Sequence, residues 1–209
     1  MAQFKNQGKD LPKSKLEQIA KDFIKLNKLD RPTKNYCLIC PVGLIGSGKT
    51  TIIKKLSRHF GLVRCSTDEM RAYLFKLGYN TGKAVEVMIL VTSKLLKKKC
   101  GIAMDGDCAR PEIVKEFLAK NKFYKIPLVW IKINVPEKII LARLSADNKK
   151  RKYRGSEAIE NYFRRKPLHK NIDLPFVYVF KNETPEKLKT QMVIAKQKIQ
   201  NFLKTCHTK

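Results

Sequence analysis

Gly43-Leu44-Ile45-Gly46-Ser47-Gly48-Lys49-Thr50 fits G-x-x-x-x-G-K-[ST] at every fixed position. Glycines in such a run let the backbone turn with its N–H groups pointing inward, so that a nest and a helix N-terminus meet phosphate oxygens. Lys49 then reaches the β and γ phosphates, and the Thr50 hydroxyl ligates Mg²⁺. The context fits that chemistry. Tyr36-Cys37-Leu38-Ile39-Cys40-Pro41-Val42 is dense in strand formers, and Thr51-Ile52-Ile53-Lys54-Lys55-Leu56 opens a pattern at helical spacing. Gly43, Gly46, Ser47, Gly48, Lys49, Thr50 and Thr51 are therefore assigned to binding a nucleoside triphosphate. A dinucleotide fingerprint is disfavoured, because Lys49-Thr50-Thr51 stands where a third small residue should fall.

Two further apolar runs end in acidic residues. Leu62-Val63-Arg64-Cys65-Ser66-Thr67 precedes Asp68, and Gly101-Ile102-Ala103-Met104 precedes Asp105. A parallel α/β sheet places its site outside the carboxyl ends of its strands, so both carboxylates are candidates. Asp105, after four mostly apolar residues, suits a Walker B role: holding Mg²⁺ through water or Thr50, or orienting a catalytic group. Asp68 suits a general base, since transfer of a phosphoryl group to an alcohol needs a carboxylate to accept the hydroxyl proton. The other reading of Asp68 is a helix N-cap. Arg71 follows one helical turn later on the same face, a cation suited to a phosphate.

These residues must be held by alternating strands and helices. Strands are expected at 36–42, 62–66, 101–105, 127–134 and 176–181, and helices at 49–60, 68–77, 81–99, 111–121, 136–146, 155–166 and 185–204. That alternation predicts a parallel sheet of about five strands with helices on both faces, a three-layer α/β sandwich. Before it, residues 1–34 are expected as a helical extension. Its helix, Ser14 to Leu26, carries a stripe of Leu16, Ile19, Ala20, Phe23 and Ile24 that should pack on the domain of residues 35–209, and Ser14 and Glu17 have capping-box spacing.

The 209 residues suit one such domain. No apolar run reaches eighteen residues and the N-terminus lacks a signal-peptide core, so a soluble, cytoplasmic protein without a membrane partner is expected. Six cysteines read as buried and reduced, and Cys37 and Cys40 should face opposite sides of a strand, where one metal ion could not take both. His59, His169 and His207 have no partner at diagnostic spacing. The net charge of +27, from 45 Lys and Arg against 18 Asp and Glu, fits a polyanionic partner, although a lysine-rich composition accounts for much of it without one. The densest basic run is Lys149-Lys150-Arg151-Lys152-Tyr153-Arg154.

Gly43–Thr51, Asp68-x-x-Arg71, Asp105 and an arginine-rich segment before a late helix together resemble the P-loop kinases grouped with polynucleotide 5′-hydroxyl kinases and zeta-toxin-like kinases. The resemblance spans residues 36–180. It implies the P-loop NTPase fold, ATP and Mg²⁺, Asp68 as general base, Arg71 on the acceptor side and Asp105 in support. It also implies a lid arginine that stabilises the transferring phosphoryl. Arg143, Arg151 and Arg154 are candidates within or before a basic lid at about 147–155, and Arg154, followed by Gly155, fits the pattern best. The acceptor implied is a nucleic-acid 5′ end. A small hydroxylated metabolite, antibiotic or nucleotide sugar stays open, as does a nucleotide-gated binding module that hydrolyses ATP slowly.

Overall fold

Strand β1 (Leu38–Val42) is buried along its whole length. Its side chains alternate, with Leu38, Cys40 and Val42 entering one hydrophobic cluster and Ile39, like Cys37 before it, entering the other. A strand buried on both faces needs helices on both sides of its sheet. The structure, a computed structural model, describes residues 8–147 and 157–207. β1 pairs in parallel with β3 (Ile102–Asp105) and β4 (Leu128–Asn134). β2 (Val63–Ser66) adds to β3 and β5 (Phe176–Lys181) adds to β4, also in parallel, giving the order β2-β3-β1-β4-β5. This is the expected α/β sandwich of the P-loop NTPases.

Helices α2 (Lys49–Phe60) and α8 (Pro185–His207) cover one face of the sheet, through Ile52, Ile53, Leu56, Leu188, Met192 and Ile199. The other face carries α1 (Lys13–Leu26), α3 (Thr67–Lys76), α4 (Ala84–Lys97) and α5 (Pro111–Tyr124). A small third cluster joins α6 (Glu137–Asp147) to α7 (Glu157–Arg165) through Ile140, Leu144, Ala158 and Tyr162, with Leu44 and Ile45 of the phosphate loop packed against it. The connections from β1 and β3 leave in opposite directions, toward β2 and β4. A crevice therefore opens at their carboxyl ends, where the site residues converge.

Two local expectations need correction. α1 starts one residue early, after Pro12, and no side chain caps it, so Ser14 lies inside the first turn and its capping box does not form. Pro12 sets the extended entry by its own ring geometry, and Leu11 before it is buried. The helix expected over 81–99 opens as a separate 3₁₀ turn, Thr81–Lys83, because the Asn80 side chain accepts from the Gly82 N–H before α4 begins. The apolar stripe of α1 is buried as expected, against α4 and in the same cluster as the sheet, with an ion pair between Lys94 and Glu17 at the contact. Among the described residues no helix is long and apolar enough to cross a membrane.

Candidate active site

Gly46 and Gly48 hold φ of 81° and 88°, left-handed values that only glycine takes without strain, and the Ser47 N–H donates to Leu44 O to close the turn. A Cβ on Gly48 would also collide with the Asn182 side chain, which donates from Nδ2 to Ser47 O at 2.8 Å. Lys49 lies back along the loop, its Nζ donating to Gly43 O at 2.6 Å and Leu44 O at 2.8 Å. Among the described residues the buried Ser47 Oγ has no hydrogen-bond partner, and no side chain caps α2. An uncapped helix start, an orphaned hydroxyl and a loop turned by two glycines fit the phosphates of a nucleotide.

Thr50 Oγ1 donates to Asp105 Oδ1 at 2.9 Å, so the two residues expected to hold Mg²⁺ are brought together. The second oxygen of Asp105 is taken by Arg64, whose guanidinium also bonds Glu69 on α3. Asp105 is almost fully buried and both its oxygens are engaged, which suits support of Mg²⁺ through Thr50 or water. Among the described residues no group of three or more His, Cys, Asp or Glu is placed to hold a metal by itself.

The cap of α3 is Ser66, whose hydroxyl accepts from the Glu69 N–H at 3.4 Å, and this removes the N-cap reading of Asp68. Asp68 sits one residue inside the helix and accepts from Arg71 Nη1 at 2.6 Å. Burial lowers the pKa of Arg71 from its usual value, the mark of a guanidinium drawn into a crevice. Close approach of α3 to β3 depends on Gly106, where a Cβ would stand 2.6 Å from Thr67 Oγ1. Lys49, Thr50, Thr51, Asp68, Arg71 and Asp105 all line one cavity of about 750 Å³. Arg151 and Arg154, and with them nearly all of the segment expected as a lid, lie outside the described residues.

Arg143, the remaining lid candidate, braces the loop. Its guanidinium donates to Gly46 O at 3.4 Å, Asn182 O at 2.9 Å and Glu183 O at 3.2 Å, tying α6 to the phosphate loop and to the turn after β5. Further residues escaped the sequence reading. Asp107 accepts from the Gly43 N–H at 3.4 Å and the Ala109 N–H at 3.3 Å, with His169 Nε2 3.0 Å from its other oxygen. Burial raises the Asp107 pKa, but the His169 bond and the Lys49 charge outweigh it and hold the carboxyl below its usual range. His169 thus finds its partner 62 positions away, beyond any spacing the sequence could signal. Arg110 and Arg165 also line the cavity. Asp107 had a visible signal in Asp105-Gly106-Asp107, whereas Asn182, His169 and the arginines stand in no motif with the loop.

No curated protein matches the chain by sequence. Similar solved structures include a protein of Chloroflexus aurantiacus assigned as a kinase, with 13% identity, 82% of this chain and 98% of that chain covered, and a TM-score of 0.63. A gluconokinase of Sinorhizobium meliloti is 9% identical over 85% of this chain and 98% of that one, with a TM-score of 0.55. A shikimate kinase of Acinetobacter baumannii, in complex with shikimate, is 17% identical over 87% and 98%, with a TM-score of 0.51. At these identities the likeness is one of fold. Residues 38–165, more than half of the chain, match the AAA domain family AAA_33, and they contain the phosphate loop, Asp68, Arg71 and Asp105. The chain belongs to that AAA domain family.

Proposed function

We propose that this protein transfers the γ-phosphoryl group of ATP, with Mg²⁺, to a hydroxyl acceptor. The observation that carries the reading is the shared cavity. Asp68 and Arg71 on α3 face the same space as Lys49 and Thr50 of the phosphate loop. Lys49 and the loop amides would hold the nucleotide phosphates, while Thr50, backed by Asp105, would hold Mg²⁺, which neutralises phosphate charge when bound. Asp68 would take the acceptor's hydroxyl proton as that oxygen bonds to phosphorus and the β–γ bridging bond breaks, releasing ADP. Arg71 holds the Asp68 carboxylate in place and adds positive charge beside the transferring group.

A nucleic-acid 5′-hydroxyl is supported as acceptor by the net charge of +27 and by the arginines of the cavity. A small hydroxylated metabolite is supported by the shared fold with a gluconokinase and a shikimate kinase. The test is transfer of labelled γ-phosphate from ATP to 5′-hydroxyl oligonucleotides, nucleosides and a metabolite pool. Asp68→Asn should abolish transfer while ATP still binds, and Lys49→Ala should weaken binding and transfer together. Full transfer by the Asp68→Asn protein would exclude Asp68 as the base. Release of inorganic phosphate alone, unaffected by that substitution, would favour a nucleotide-gated binding module instead.

A further inference from the structure

Among the arginines of the cavity are three to which the phosphotransfer step gives no part. Arg110, Arg164 and Arg165 line it together, Arg110 at the start of α5 and the other two in the last turn of α7. Their contacts leave most of their donors uncommitted among the described residues. Arg165 stands 3.8 Å from Asp107 and Arg110 stands 3.8 Å from the exposed Glu112, both beyond hydrogen-bond reach, and Arg164 bonds the neutral Asn161. Burial, and then the neighbouring charges of Arg110, Arg71 and Arg164, push the pKa of Arg165 down, while Asp107 pulls it back only in part. The half-buried Arg165 thus stands within the field of three other arginines with Asp107 as its nearest carboxylate, a costly arrangement unless an anion joins them.

Such an anion would be separate from the nucleotide's phosphates. Asp107 accepts from the first loop glycine and faces Arg165, so a carboxylate stands between the phosphate loop and the arginine group. The same cavity is also lined by the apolar Val85, Met88, Ile113 and Phe117. We propose that Arg110, Arg164 and Arg165 bind a phosphate monoester carried by the acceptor itself, with the apolar lining receiving the rest of that molecule and its hydroxyl turned to Asp68. A phosphate dianion suits the site better than a monocarboxylate, because its oxygens can serve more than one guanidinium fork. The proposal rests on the kinase reading and narrows it to phosphorylated acceptors.

The test is titration of inorganic phosphate into the full-length protein saturated with Mg²⁺ and AMPPNP, which occupies the phosphate loop. One saturable phosphate is expected, and Arg110→Gln with Arg165→Gln should weaken it by about tenfold or more without changing AMPPNP affinity. Arg165→Lys, which keeps the charge and loses the fork, should give an intermediate loss, and thermal melts of each variant report folding. Absence of saturable phosphate binding, or binding indifferent to these substitutions, would overturn the site and assign the anion to the general basic surface. If AMPPNP itself fails to bind, the kinase reading falls, while the response of phosphate binding to the same substitutions still decides the arginine site. In transfer assays adenosine 3′-monophosphate should be preferred to adenosine, or glucose 6-phosphate to glucose, and the favoured pair tells a nucleotide from a sugar phosphate. Preference for the unphosphorylated partner in both pairs would also overturn the proposal.

Discussion

Thr50 and Arg64 divide the two oxygens of Asp105 between them, and the division sets what each can do. With Arg64 on one oxygen, the carboxylate acts on a metal through the Thr50 hydroxyl. Thr50→Val should therefore remove most of the Mg²⁺-dependent gain in nucleotide affinity, about tenfold or more, while affinity in EDTA stays near that of the unaltered protein. Paired titrations of nucleotide with Mg²⁺ and with EDTA check this. Arg143 acts by bracing. Arg143→Ala strips charge-assisted bonds from Gly46 O and from the turn after β5, and should weaken nucleotide binding by about tenfold, measured by the same titration. The residues legible in the sequence carried a local pattern: the loop, Asp68 with Arg71 three positions on, and Asp105 at the end of an apolar run, although its partner Thr50 lies 55 positions away. Asn182 reaches Ser47 across 135 positions and His169 reaches Asp107 across 62, distances over which only the fold creates proximity.

At the scale of elements, the first helix belongs to the core. Phe23 in α1 is 2% exposed and stacks at a tilt on Tyr73 of α3, with ring centroids 5.5 Å apart. Phe23→Ala should cost about 3–5 kcal/mol in chemical denaturation, from the lost transfer energy and the cavity left behind. Phe75→Ala, at a position 57% exposed, should stay within about 0.5 kcal/mol. The stripe on α1 was readable because helical periodicity is a local signal, and the burial of Leu16, Ile19, Ala20, Phe23 and Ile24 follows it residue by residue. Its start was misread because a Ser and a Glu at capping distance say nothing of the proline before them. All five strands lie within the expected ranges, because each is a short apolar run between helices. Their order across the sheet is a long-range property and was not written in any one of them.

The whole molecule has a chemically quiet interior and a charged exterior. Burial pushes the thiols of Cys37 and Cys65 up to about 12, so they remain neutral thiols through the physiological range. Alkylation of the native protein at pH 8 should label the partly exposed Cys206 first and leave the five buried cysteines until the chain unfolds, as mass spectrometry would show. Outside, a net charge of +27 should make association with any oligonucleotide fall steeply with salt, whichever acceptor is phosphorylated. Affinity at low salt is therefore no guide to the substrate. The contact between Gly48 and Asn182 carries a consequence for genetics. A side chain at position 48 meets two obstacles at once, the Asn182 amide and a left-handed backbone. Trimming position 182 clears only the first, so a screen for second-site suppressors of Gly48→Ala should return true revertants and no compensating change at Asn182.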